Sequence, residues 1–335
     1  MKQRTLGRTG LQVSELALGG LFLAAWFADP EQSAATVRRA VELGVNYIDT
    51  APGYGNSEEA LGNALTALGE AAAPLILSTK LGGRPQPFHP QDKAALLASV
   101  EESLRLLGRY RIDILMIHEP DRPGQHDWWS DWDRFTGPVL DVLADLKRAG
   151  VVRFTGLGGT TAYTLPHIIN TGRFDVVLTA FNYSLLWREA ETAVLPAAVA
   201  QGMGIIAGSP LQQGALARRY DDQVNYGARW LSPPRRRQYQ ALYAFLDEIG
   251  MPIAEAALRF VLSNPAISCA LMGAASAEEV EQNVATVEKG PLPPEILARL
   301  DEIATMVPFR PFEEPFEEPF GLPFTHPYKG PGIAR

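Results

Sequence analysis

Four residues stand where apolar runs stop, and their types are those of a proton-transfer site. Asp49 closes VNYID, and Tyr54 follows five residues on, past a Pro/Gly turn; Lys80 ends LILSTK and His118 ends IDILMIH. An ammonium at the end of an apolar strand is costly to bury alone, so Asp49 is the natural partner of Lys80. That pair leaves positive charge beside Tyr54, which is expected to lower the phenol from its ordinary value near 10 and let it give or take a proton. His118 is placed to hydrogen-bond the same substrate oxygen. None of the four is a good covalent nucleophile, so proton transfer coupled to hydride transfer fits better than hydrolysis, with a cofactor carrying the hydride. Taken singly, each has an ordinary reading: a satisfied core histidine, an aromatic loop anchor, a turn cap, a structural ion pair. Their joint placement favours the site.

The elements that must position them alternate. After a small hairpin, with residues 3–6 and 11–13 around GRTG, short apolar runs at 17–20, 45–48, 75–78, 112–117, 151–156, 174–179, 203–208 and 266–272 read as strands. Helical spacing follows at 31–43, 57–68, 91–107, 135–149, 161–170, 189–201, 235–248, 253–262 and 276–288. Short turns such as KRAGVV and AQGMGI suit parallel strands covered by helices. Eight units close into a (β/α)8 TIM barrel; an open doubly wound sheet would call for GxGxxG after its first strand, and LALGGLFLA does not supply it. In a barrel the C-terminal strand ends converge, so Asp49, Tyr54, Lys80 and His118 become neighbours. One barrel over residues 1–305 is expected. Residues 306–335, with the repeat PFEEPFEEPF, form an extended Pro/Phe-rich tail laid on the barrel or an interface.

Bulk properties narrow the partners. The 335 residues carry a net charge of -8, which argues against nucleic acid; the arginines at 235–237 read as a solvated helix face. Cys269, the only cysteine, sits in apolar ISCALM and reads as a packed thiol, and the histidines show no metal spacing. No signal-like segment and no run near 18 apolar residues is present, so a cytoplasmic protein with no membrane partner is expected. The connections 119–134 and 209–234 are long and rich in tryptophan. Trp128, Trp129 and Trp230, with Trp26 and Phe27, are expected to wall a substrate pocket.

At this point the chain resembles the aldo-keto reductase family over about residues 3–305, through LGRTGLQVSELALGG, NYIDTAPGYGNSEEALG, LSTK, DILMIH, KRAGVVRFTGLG, GSPLQQG and MGAASAEEVEQN. The resemblance implies the barrel and a nicotinamide dinucleotide across its C-terminal face. It implies Tyr54 as general acid/base, Lys80 and Asp49 as the pair that tunes it, and His118 as the residue orienting the carbonyl. Glu58 and Glu59 read as carboxylates of a helix's first turn. The cofactor set it implies is Gly20, Asp49, Gly158, Ser209, Leu211, Gly214, Gly273, Ser276, Gln282 and Asn283, with Ser276 doubling as a helix cap over Glu279.

The chain departs from the family pattern where it has Gly158 and Gly159, Thr179 and Ala180, and Gly208, which leaves the nicotinamide's partners open; Asn182 and Tyr183 are nearby candidates. Residues 273–283 hold no Arg or Lys to receive a 2′-phosphate, which tilts the cofactor toward NAD over NADP. The sequence looks most like the branch that oxidises aldoses at the anomeric carbon, the aldose 1-dehydrogenases and L-galactose dehydrogenases, with a sugar or aldehyde substrate. An NADPH-dependent aldehyde or sugar reductase and a non-catalytic nicotinamide-binding regulatory subunit are the alternatives. Monomer and homo-oligomer both stay open.

Overall fold

The computed structural model describes residues 1–308 apart from Gly124 and Arg229. The expectation for the tail therefore falls, from residue 309 onward, outside the described residues. A hairpin of β1 (Gln3–Thr5) and β2 (Gln12–Ser14) precedes eight parallel strands. These are β3 (Leu16–Gly19), β4 (Tyr47–Asp49), β5 (Ile76–Leu81), β6 (Ile112–His118), β7 (Val152–Gly159), β8 (Val176–Ala180), β9 (Gly204–Gly208) and β10 (Cys269–Gly273), and β10 pairs with β3 to close the barrel. The helices are α1 (Pro30–Glu42), α2 (Ser57–Leu68), α3 (Lys93–Leu107), α4 (Pro138–Arg148), α5 (Leu165–Ile169), α6 (Val194–Ala200), α7 (Asp221–Tyr226), α8 (Pro233–Ile249), α9 (Ile253–Ser263), α10 (Ala277–Glu288) and α11 (Pro294–Thr305). Among the described residues no helix is long and apolar enough to cross a membrane.

The helix limits are written locally. Asp29 accepts from Gln32 N, and the Gln32 side chain answers at Asp29 N, a reciprocal cap ahead of Pro30 that starts α1. Asp92 and Ser232 cap α3 and α8, whose far ends stop at Gly108 and Gly250 in left-handed conformations.

Strand alternation decides which side chains can meet. Tyr47, Ile76, Ile114, Met116, Val176, Leu178, Ile206, Cys269 and Leu271 form one buried cluster, the barrel interior. Leu18, Ile48, Leu77, Leu115, Ile117, Leu157 and Val177 belong to the other, against the helices. Asp49 is in phase with Tyr47, Lys80 with Ser78 and Ile76, and His118 with Met116 and Ile114. All three therefore face inward at the C-terminal rim.

The hairpin shuts the opposite end. Leu6 and Val13 are fully buried in the interior cluster. Gly7 lies so close to β9 that a Cβ there would come within 2.1 Å of Gly204 N. Arg4 spans to the carbonyls of Leu262 and Ile267.

Three local expectations need correction. Residues 209–234 are not all loop, since α7 lies within them. The helix expected at 161–170 is only the five residues of α5. The arginine run is not uniformly solvated: Arg235 is buried and donates to Gln238 Oε1, with Leu186 O in reach.

Candidate active site

A charged hydrogen-bonded chain runs from the barrel interior up to the rim. Tyr47 OH and Ser78 Oγ are 2.8 Å apart, Ser78 Oγ donates to Asp49 Oδ1 at 2.6 Å, and Lys80 Nζ donates to Asp49 Oδ2 at 2.7 Å and to Thr50 O at 2.8 Å. Asp49 and Lys80 are both buried. Lys80 Nζ lies 4.8 Å from the centroid of the Tyr54 ring, and the His118 ring meets Tyr54 edge-on at 5.8 Å. The four residues thus share one place.

Burial works against the Lys80 ammonium, but Asp49 and Tyr54 outweigh it and hold its pKa above the ordinary value. Burial drives His118 well below its ordinary value, with Lys80 adding to the effect, so the imidazole is neutral. For Tyr54 the expectation is reversed. Burial raises the phenol, Lys80 pulls it down, and burial wins.

The tetrad opens into a cleft of about 1110 Å³, large enough for a dinucleotide and a small substrate. Of the cofactor set, Asp49, Gly158, Ser209, Leu211, Gly214, Gly273, Gln282 and Asn283 line it. Gly20 does not; its carbonyl accepts from Ser57 Oγ, and a Cβ there would strike Asp49 O, so it serves close packing. Ser276 does not either; its Oγ caps α10 at Glu279 N. Glu279 reaches back to Ala275 N, so its own carboxylate occupies the start of α10.

The residues present fit a nicotinamide dinucleotide. Gly19, Gly158, Gly159, Gly208 and Gly273 leave strand ends bare along the cleft, and a Cβ at Gly158 would sit 3.5 Å from Lys80 Cε. Asn182 and Tyr183 are not available to the nicotinamide: both are buried, Asn182 donating to Ala180 O and the Tyr183 hydroxyl accepting from Asn264. Phe181 lines the cleft instead.

Of the aromatic residues expected to wall the pocket, only Trp26 lines it. Trp128 and Trp129 are buried, donating to His118 O and Pro120 O, and so fix the loop behind His118. Trp230 is buried against Tyr220 and Tyr239 and donates to Gln223; Phe27 packs on Phe22 and Trp26. Sequence reasoning missed Phe22, Glu119, Arg122, Gln125 and Thr160, which do line the cleft. Position after a strand end was the available signal for Glu119 and Thr160. Glu58 is more than a first-turn carboxylate: it is buried, accepts from Thr79 Oγ1 and pairs with Arg84, tying α2 to β5, whereas Glu59 is exposed.

A closed barrel with a buried Lys–Asp pair, a phenol and a neutral imidazole at the mouth of a dinucleotide-sized cleft defines a hydride-transfer oxidoreductase. The aldo/keto reductase family model matches residues 15–305, and the chain belongs to that family. It is an NAD(P)-dependent oxidoreductase acting on a small molecule. It is similar to L-galactose dehydrogenase of Arabidopsis thaliana, 31% identical over 85% of this chain and 87% of that one. A putative voltage-gated potassium channel subunit beta of Schizosaccharomyces pombe is 28% identical, covering 91% and 94%. Among solved structures, the holo form of an aldo-keto reductase from Bacillus halodurans superposes with a TM-score of 0.72 at 27% identity, covering 91% and 96%.

Proposed function

We propose that the protein oxidises an aldose at its anomeric carbon with NAD, giving a lactone. The observation that carries the reading is the composition of the cleft beside the tetrad. Glu119, Arg122, Gln125 and Thr160 put hydrogen-bonding groups there, and Trp26 adds an aromatic surface. That mixture suits a ring with apolar faces and polar edges. Tyr54, as the phenolate that Lys80 stabilises, takes the proton of the anomeric hydroxyl and becomes the neutral phenol, and Asp49 holds Lys80. His118 is neutral and hydrogen-bonds the reacting oxygen. The bound nicotinamide supplies the acceptor for the hydride leaving C1.

Among the described residues lining the cleft, only Lys80 and Arg122 are cationic, and Glu279 stands beside Gln282 and Asn283. A 2′-phosphate there would meet a carboxylate, which favours NAD. The similarity to L-galactose dehydrogenase points the same way on substrate class.

The raised Tyr54 phenol supports a second reading, carbonyl reduction, because a protonated phenol at neutral pH is already a donor. The complete set of four groups speaks for turnover over a purely regulatory role. Parallel fluorescence titrations with NADH and NADPH, then a panel of aldoses and aldehydes with the preferred cofactor, separate these. Tighter NADH binding and reduced cofactor formed with an aldose are expected. An NADPH preference with aldehyde reduction alone would overturn the first reading.

A further inference from the structure

Glu119 sits one residue past His118 and is held in an unusual conformation. Its φ is 52°, a left-handed value that is strained for a non-glycine residue. The surroundings fix it there. Glu119 N donates to Gly158 O at 2.8 Å, extending the β6–β7 ladder by one bond. Asp121, buried just beyond, accepts from Thr160 N, Thr161 N and Thr161 Oγ1, so the loop after β6 is fastened to the loop after β7.

The Glu119 side chain lines the cleft and is only 15% exposed. Thr160 Oγ1 donates to its Oε2, and Arg122 Nε donates in turn to Thr160 Oγ1 while lying 3.4 Å from the same Oε2. Among the described residues, Oε1 has no hydrogen-bond donor. Most of the carboxylate is sheltered, which costs its charged form, while Oε1 is left toward the cleft for a donor to reach. Consistent with that cost, burial pushes its pKa up to about 7.

We propose that Glu119, held by Thr160 and Arg122 beside His118, selects hydroxylated substrates by accepting a hydrogen bond from a substrate hydroxyl near the reacting carbon. This rests on the aldose reading above and names the residue that enforces it. A carboxylate oxygen welcomes a hydroxyl donor and repels a substrate carboxylate or phosphate. A plain aldehyde offers it nothing. Sites built around such an unpaired polar group discriminate strongly against analogues lacking the partner, because the group is then left buried and unanswered.

The test compares kcat/KM for an accepted aldose, for its analogues lacking one hydroxyl at a time, and for a simple aliphatic aldehyde, in wild type and in Glu119→Gln. The substitution keeps the size, and retained NADH fluorescence binding verifies the fold. Wild type is expected to lose roughly 10- to 100-fold on one deoxy analogue, and Glu119→Gln to shrink that ratio at least about tenfold. Equal losses on the aldose, every deoxy analogue and the simple aldehyde overturn the inference while leaving the aldose reading standing. Wild-type protein that turns over the simple aldehyde but no aldose overturns both.

Discussion

Asp49 and Lys80 are joined where neither could stay charged alone. Breaking a buried pair strands the remaining charge, at about 3–5 kcal/mol, so Asp49→Asn should lose both activity and stability, read as a lower urea midpoint at pH 7. Tyr54→Phe leaves that pair intact. It should lose on the order of 10²- to 10⁴-fold in kcat while NADH binding, followed by fluorescence, stays nearly unchanged. Glu119 makes a pH prediction with a definite sign. Its folded pKa of about 7 exceeds the ordinary carboxyl value of 4.5, so between those values the folded state keeps a proton that the unfolded state has lost. Stability therefore falls as pH rises through that window, by at most about 3 kcal/mol. Glu119→Gln removes the slope, and its stability relative to wild type should be higher at pH 8 than at pH 5 in paired denaturant titrations. Asp49, Lys80 and His118 were legible because each ends an apolar run and strand alternation fixes its side, and Tyr54 because the short turn after Asp49 keeps it at the same rim. The direction of the Tyr54 shift was not, since it depends on weighing burial against one ammonium. Nor were the roles of Trp128, Trp129 and Trp230 legible: aromatic composition says nothing about which side of a loop faces the cleft.

Among the elements, α2 and α3 pack closer than their propensities suggest. Gly62 in mid-helix invites replacement by alanine, ordinarily a gain of about 1 kcal/mol. Here a Cβ would come within 1.9 Å of Leu106 O, a backbone atom that cannot rotate away. Overpacking of about 1–3 kcal/mol should win, and Gly62→Ala should melt below wild type in a thermal scan. The sequence shows the glycine but not the neighbour that makes it necessary. Strand and helix order, in contrast, was readable nearly throughout, because eight apolar runs alternate with amphipathic ones. Of the two helices overlooked, α7 and α11, the second carries its own signal in Ile296, Leu297, Leu300, Ile303 and Ala304 at helical spacing after Pro294. Its C-terminal carbonyls at Ile303 and Ala304 accept from Gln238, so it is fastened to α8.

At the scale of the whole molecule, the closed barrel carries its dinucleotide-sized cleft at the strand ends, so cofactor and fold report on each other. A ligand at about 100 times its Kd adds roughly 2.7 kcal/mol to stability. NAD should therefore raise the melting temperature by several degrees, and NADP at the same concentration by less if Glu279 disfavours the 2′-phosphate. Equal shifts would remove that role from Glu279. The hairpin carries a further consequence, one of timing. Arg4 binds carbonyls 258 and 263 positions further along, at Leu262 and Ile267, and Gly7 nests against β9. The hairpin thus has no docking site until almost the whole barrel has followed it. At about 5–20 residues per second that is a wait of roughly 10–50 s with Leu6 and Val13 uncovered. Nascent chains halted before β9 should be the aggregation-prone species of this protein.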